Sequence, residues 1–271
     1  MMWAQLRRAK TMTNAEDRNF DDLTEKFARK VYAGLKGQIR LGVISRDLSA
    51  ALPAIDDGSN ALHVLDVGGG LGQQAVRLAQ RGHHVVYNDL SDNMMREAKR
   101  LAQKHQVGES VRWYCGPYQE LDRQLHTKFD LIMCHALIEW LEKPQCLLQF
   151  LSRWLNPGGF ISLTFYNRDA LEYRNLIRGN FRVLEHPFVA NSGSLTPGHP
   201  LTAGQVLQWL NEACLDVRAC SGIRVFHDYV TTPRGGHNNP LAVLQMELKY
   251  SQLEPYKWMG RYMHMLAQSP L

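Results

Sequence analysis

Between residues 61 and 166, short apolar runs alternate with amphipathic stretches. Ala61–Val67, Val85–Asn88, Val111–Cys115, Phe129–His135 and Phe160–Phe165 are short, mostly apolar and bounded by turn residues. That is the pattern of strands buried on both faces. Between them, Gln73–Arg81 and Asp92–Gln106 read as helices, the second capped by Ser91. Pro144 opens a helix reaching Leu155, at the first-turn position where proline is tolerated, and Asn156–Gly159 reads as a turn. Strands alternating with helices predict right-handed crossovers and a Rossmann-like α/β fold with a doubly wound, mostly parallel sheet.

The flanks are less regular. Phe20, Leu23, Phe27 and Val31, then Ile39, Val43 and Leu48, recur at roughly helical spacing ahead of the first strand. After the fifth strand the pattern predicts a helix over Asp169–Arg178 and a loop rich in Pro, Gly, Ser and Thr from His186 to Pro200. A helix from Thr202 to Ala213 follows, then closing strands at Val217–Tyr229 and Tyr262–Ala267 with a helix at Leu241–Tyr250 between them. The expected organisation is a tail or start-site artefact over 1–16 and a single domain over 17–271. Within that domain, 17–60 form N-terminal helices, 61–166 the core, 167–214 a helical insertion and 215–271 the closing strands.

Composition narrows the function classes. Apolar residues make up 45% and charged residues 21%, as in an ordinary globular protein. A net charge of +5 leans towards polyanionic partners without deciding the matter. The five cysteines form no CxxC pair, and the eleven histidines show no HExxH spacing. Neither a disulfide framework nor a metal site is expected. No window has the length of apolar residues that a membrane span needs, and no apolar run follows the basic N-terminus. A reduced, cytoplasmic protein is the expectation.

The chemistry concentrates at strand ends. The run Val64-Leu65-Asp66-Val67-Gly68-Gly69-Gly70-Leu71-Gly72 carries a strand into an acid, a glycine turn and a helix N-terminus. A dinucleotide fingerprint needs a third glycine at position 73, which is Gln73. Asp66 would also repel a pyrophosphate, whereas it suits the positive sulfonium and ammonium of S-adenosylmethionine (SAM). Asp89 ends the second strand, where a carboxylate can accept both hydroxyls of a ribose. Read alone, it could equally be an exposed acid beside a helix cap. Tyr118 and Gln119, in the turn after the third strand, are candidates to pack on and hydrogen-bond an adenine. His135 ends the fourth strand, on the edge where open α/β sheets bind ligands. As a lone histidine in an apolar run, it is also a candidate core group.

Beyond these motifs, the chain resembles the bacterial tRNA 5-carboxymethoxyuridine methyltransferase family, within the class I SAM-dependent methyltransferases. The resemblance runs from Asp17 to the C-terminus. Asp17-Arg18-Asn19-Phe20-Asp21-Asp22, Lys36-Gly37-Gln38-Ile39-Arg40, the Leu65–Gly72 loop, Phe165-Tyr166-Asn167 and Gly222–Tyr229 carry it. It implies methylation of the carboxylate of a modified wobble uridine, with the tRNA anticodon stem-loop as partner. It also implies a SAM site of Arg40, Gly68, Gly69, Asp89, Tyr118, Gln119 and His135, to which the strand-end reading adds Asp66 and Gly70. Arg40 would hold the methionine carboxylate. Arg224 is a candidate to hold one substrate carboxylate oxygen, and Tyr166, Asn167, His227 and Tyr229 are candidates to frame the uridine. Each of those five could also be packing or capping.

Leu71 stands where a polar residue often follows the glycines. The loop from Leu184 to Pro200 has two histidines and no Lys or Arg, fewer cations than RNA contact leads one to expect. Arg174, Arg178 and Arg182, spaced by four, would give a helix one basic face. Competing readings are a SAM methyltransferase acting on a small acid or a quinone precursor, and a non-catalytic SAM- or RNA-binding module.

Overall fold

The computed structural model describes residues 21, 34–58, 60–185 and 197–271. The Asp17–Asp22 motif apart from Asp21, the Phe20–Val31 periodicity and most of the His186–Pro200 loop lie outside the described residues. The described chain begins with α1 (Gly34–Ala51) and a short α2 (Ala54–Asp57). Then come β1 (His63–Val67), α3 (Gln73–Gln80), β2 (His84–Asp89), α4 (Asp92–Lys104), β3 (Val111–Cys115), β4 (Phe129–His135), α5 (Pro144–Ser152) and β5 (Leu155–Tyr166). The remainder is α6 (Arg168–Ile177), α7 (Ala203–Glu212), β6 (Asp216–Ile223), α8 (Pro240–Tyr250) and β7 (Tyr262–Gln268).

The seven strands form one sheet in the order β3-β2-β1-β4-β5-β7-β6. β7 runs antiparallel to both of its neighbours, and the other pairs are parallel. The chain winds outward from β1 to β3, returns to β4 and winds out the other way. The strand order therefore reverses between β1 and β4, where a crevice opens at the carboxyl ends.

Side chains alternate between the faces, as strand geometry requires. Val64, Leu131, Met133 and Leu266 face a layer that holds Ile39, Val43 and Ile44 of α1, Leu78 of α3 and Val243 of α8. Leu65, Val67, Ile132, Leu163 and Met265 face the opposite layer, with Leu147 and Leu151 of α5 and Val206 and Leu210 of α7. Ser91 caps α4 by accepting from Met94 N–H, and Thr202 and Gln205 form a capping box on α7.

Three boundaries differ from expectation. The predicted turn at 156–159 is absorbed into β5 as an irregularity, because pairing resumes on both sides of it. α5 accordingly stops at Ser152 rather than Leu155. The predicted closing strand over Val217–Tyr229 ends at Ile223, since Arg224 takes a left-handed φ of 61° that no ladder accommodates.

Candidate active site

The crevice is walled first by the loop that leaves β1. A Cβ on Gly69 would lie 2.5 Å from Tyr87 Cε2, and Gly70 sits at φ 55°, so both positions need glycine. The loop is tied to β2. Gly69 N–H donates to the Asn88 carbonyl (3.0 Å), Gly70 N–H donates to Asp89 Oδ2 (2.8 Å), and the Tyr87 hydroxyl donates to the Gly70 carbonyl.

Asp89 is thus engaged differently from the sequence expectation. Its Oδ1 accepts from Ser91 N–H at 2.8 Å, so each oxygen already holds one backbone donor. An ionised carboxylate offers about four acceptor positions, leaving room on each oxygen for a ligand hydroxyl. Burial pushes Asp89 above the usual carboxylate range, against the pull of the Ser91 and Gly70 bonds. Asp66 is 3% exposed and lies against Gly69. Burial, and then the Asp89 charge, push it up to about 7. Two buried acids whose pKa values are both raised would be drawn to ionise by an approaching cation.

Gly68, Gly70, Asn88, Asp89, Tyr118 and His135 line one pocket, closed on another side by Leu137 and Trp140. Tyr118 is buried, edge-on to Phe150, and Gln119 beside it is exposed. Asn88 was missed by the sequence reading. Its side chain donates to the Gly116 carbonyl at 2.9 Å and fastens the turn after β3 to the end of β2. The available signal was a polar residue inside an otherwise apolar strand. His135 Nε2 lies 2.8 Å from Ser162 Oγ. Burial, reinforced by the neighbouring His264 and Arg40, holds its ring well below the ordinary histidine range. The next residue, Ala136, is left-handed at φ 56°, a sparsely populated conformation for alanine.

A second group lies at the end of β5. Arg40, 7% exposed on α1, stacks 4.3 Å above the Tyr262 ring, and Arg224 approaches the same ring at 5.4 Å. Arg261 lies 4.7 Å over Tyr166. Asp228 is 3.6 Å from Arg224, 3.7 Å from Lys36 and 3.9 Å from Arg261. Burial would raise it, but Arg224, Lys36 and Arg261 together hold it below the usual carboxylate range. Even so, Arg224 Nε, Arg261 Nη1, Arg174 Nε and the Tyr166 hydroxyl are buried without a hydrogen-bond partner. Burial pushes Tyr166 up to about 12, so its hydroxyl keeps its proton and is a donor.

The remaining candidates divide. Tyr229 donates to the Met259 carbonyl (2.7 Å) and stands edge-on to Tyr173. Asn167 spends its amide on the Trp258 and Gly260 carbonyls (2.8 and 3.0 Å) and its oxygen on Asp169 N–H, so it clamps the segment carrying Arg261 and caps α6. His227 is partly buried, and its backbone N–H is held by Glu247. Glu247 was also missed. It is wholly buried and accepts from the backbone of Val225, Phe226 and His227 at 2.7, 3.1 and 2.7 Å. One carboxylate on α8 therefore shapes the turn that presents Arg224 and Asp228. Arg174 and Arg178 close α6, but Gly179 ends that helix at φ 69°, and Arg182 sits in a separate short turn. The three do not share one helical face.

Known proteins agree with this geometry. Residues 65–163 match the methyltransferase domain family. The tRNA 5-carboxymethoxyuridine methyltransferase of Escherichia coli K12 is 39% identical over 94% of this chain and 97% of its own. A ubiquinone biosynthesis O-methyltransferase of Leptothrix cholodnii is 26% identical over 60% of this chain and 68% of its own. The fold also matches the magnesium protoporphyrin IX methyltransferase of Synechocystis, solved with bound SAH, at a TM-score of 0.58 and 17% identity over 92% of this chain and 96% of that one. The chain belongs to the class I SAM-dependent methyltransferases and, within them, to the family of the tRNA 5-carboxymethoxyuridine methyltransferases.

Proposed function

We propose that the chain transfers the methyl group of SAM to the carboxylate of 5-carboxymethoxyuridine at the tRNA wobble position, giving the methyl ester. The observation that carries this reading is the group of buried, unpartnered donors at the end of β5, three of them on guanidinium groups. Arg224 Nε, Arg261 Nη1, Arg174 Nε and the Tyr166 hydroxyl have no partner, and a buried unpaired donor is costly unless an anion completes it. A ligand carboxylate is such an anion.

The two groups of residues divide the task. Asp89 would hold the ribose hydroxyls, Tyr118 and Gln119 the adenine, and Asp66 with Gly68, Gly69 and Gly70 the cationic methionine end. Arg40 would hold the methionine carboxylate, and His135 would lie beside it. The set of two buried acids and a buried guanidinium matches a ligand carrying hydroxyls, a positive centre and a carboxylate. When bound, SAM supplies an electrophilic methyl group on a positively charged sulfur. Arg224, Arg261 and Tyr166 would hold the substrate carboxylate, and His227 and Tyr229 would frame the base. Asn167 would act through the backbone it clamps.

A carboxylic acid with an ordinary pKa of about 4 is ionised at neutral pH, so no general base is required of these side chains. Their task is alignment. Opposite charges cancel as the ester forms, so the largely buried setting of Arg40, Arg224 and Tyr166 favours the transition state over separated ions. A wobble base can be splayed from its loop onto an aromatic surface, which the Tyr229–Tyr173 pair would offer. Arg178 and Arg182 are exposed cations for the phosphates of the anticodon stem-loop. Among the described residues no helix is long and apolar enough to cross a membrane, and a cytoplasmic setting beside its RNA substrate fits. The test is nucleoside mass spectrometry of tRNA from cells lacking the protein. The expected result is loss of the methyl ester with accumulation of the free acid. An unchanged ester, or transfer by the purified enzyme to a small acid alone, contradicts the assignment.

A further inference from the structure

A row of polar side chains crosses the otherwise apolar sheet face beneath α1. His135 Nε2 on β4 lies 2.8 Å from Ser162 Oγ on β5. Ser162 Oγ lies 2.9 Å from His264 Nε2 on β7, and His264 Nδ1 lies 2.7 Å from Asp47 Oδ2 on α1. Ser162 and His264 are 0% exposed and Asp47 is 1% exposed, so no solvent can substitute for a missing partner. The row is anchored at its far end. Asp47 Oδ1 accepts from Arg46 Nε (3.0 Å), Arg46 Nη2 (2.7 Å) and Gln252 Nε2 (2.9 Å). Arg46 itself is fixed by Ser221 Oγ, Ser251 Oγ and the Leu248 carbonyl.

With both buried rings neutral, hydrogen-bond accounting gives this row a direction. Asp47, surrounded by donors and held below the usual carboxylate range despite its burial, accepts only. His264 Nδ1 therefore carries a proton. In the neutral ring, His264 Nε2 must accept, so Ser162 donates to it. Ser162 Oγ then accepts from His135, which places the His135 proton on Nε2 and leaves Nδ1 as the lone-pair nitrogen of a ring that lines the pocket. A buried polar row of this kind is often no more stable than an apolar replacement, which points to a role other than stability.

We propose that Asp47, His264 and Ser162 are positioning residues that set the tautomer of His135, so that its Nδ1 accepts a hydrogen bond from the α-ammonium group of SAM. This rests on the placement of the methionine end of SAM beside Arg40 and His135. The neighbouring Arg40 is suited to that molecule's carboxylate, which puts the ammonium within the same corner of the pocket.

The row makes a reversal available. In Asp47→Asn the three donors around Oδ1 keep the amide oxygen on their side, so the amide nitrogen faces His264. His264 Nδ1 must then accept, Nε2 donates to Ser162, Ser162 donates to His135 Nε2, and His135 is protonated on Nδ1. The experiment records imidazole nitrogen–proton correlation spectra of the full-length protein, with His135→Gln identifying the resonance, and measures SAM binding by calorimetry. The expected result is an Nε2–H ring at His135 in the parent, an Nδ1–H ring in Asp47→Asn, and SAM affinity weakened about tenfold, the worth of one charge-assisted hydrogen bond. Ser162→Ala, a small change that cuts the row at its middle, is expected to make His135 indifferent to Asp47→Asn. A parent that binds SAM but whose His135 ring ignores Asp47→Asn overturns the proposal. So does a ring that flips while SAM affinity holds. A parent that takes up no SAM instead sinks the cofactor reading on which the proposal rests.

Discussion

The glycine-loop half of the site is built from two short contiguous segments, Asp66–Gly72 and Asp89–Ser91, locked together by backbone bonds to Asn88 and Asp89. The arginine half draws Tyr166 from β5, Arg224 and Asp228 from the turn after β6, and Arg261 from just before β7, while Arg40 of α1, proposed for the methionine end of SAM, shares the Tyr262 ring with Arg224. The first half carries two buried acids with raised pKa values, the second three guanidinium N–H groups buried without a partner. Charge thus separates along the crevice: a cationic donor suits one end, an anionic acceptor the other. On the proposed assignment the two ligands are selected by different side chains, so each half should be breakable without the other.

The largest effect is expected from Arg224→Ala. It removes a guanidinium whose Nε is buried without a partner and would lie against the substrate carboxylate. Truncating one member of a buried, hydrogen-bonded charge pair costs about 2–5 kcal/mol, so kcat/KM for modified tRNA should fall about a thousandfold. SAM affinity, measured by calorimetry, should be unchanged. A parallel loss of SAM binding would show that the halves are one unit. Next comes Asp89→Ala, which removes both ribose acceptors along with the Gly70 and Ser91 anchors. Two such bonds imply SAM binding weaker by about a hundredfold. Direct binding of the modified anticodon stem-loop, measured without SAM, should be preserved.

This division also explains what could be read in the sequence. β1 to β4 and the glycine loop were legible because they are local: a strand, its terminal acid and its turn are neighbours in the chain. Asp47, His264, Glu247 and Arg261 were not. Each is one charged or polar residue with no motif around it, and its meaning depends on partners up to 217 positions away. The insertion of β7 between β5 and β6 creates those partnerships, and periodicity carries no signal of strand order. Arg40 was singled out by the resemblance alone. Its burial follows from the seven-residue spacing to Asp47, which places both on the face of α1 that meets the sheet. Asn167 shows the converse: a residue that looked functional spends its hydrogen bonds on the backbone.

A third experiment sharpens the contrast through pH. Asp66 titrates at about 7 in the fold, above its ordinary unfolded value. Its contribution to the stability of the cofactor-free fold is therefore complete at low pH and lost as the pH rises through about 7. SAM is a cation at that end and prefers ionised Asp66, so its affinity should climb over the same window, at most about tenfold per pH unit below the midpoint. Thermal denaturation and calorimetry across that range should show the two trends running in opposite directions. Asp66→Asn should flatten both. Trends that run together would place the titrating group elsewhere.

The smallest effect should come from Glu247→Gln, and it is the most discriminating because Glu247 touches neither proposed ligand. Its two oxygens accept three backbone N–H groups over Val225–His227. Burial raises its pKa while those three bonds pull it back, so a carboxylate is being used to hold a turn. Glutamine keeps the shape but offers one acceptor oxygen and turns an NH2 towards a backbone donor. Losing one or two such bonds costs about 1–3 kcal/mol. Part of that will appear as a lower melting temperature. The rest should appear as a looser Arg224–Asp228 turn, with KM for tRNA rising several-fold and SAM affinity unchanged. A fall in melting temperature with both affinities intact would make Glu247 a support of the fold alone. A change in SAM affinity would mean that strain passes from the turn after β6 to the glycine loop, and the independence of the two halves would fail at its most remote residue.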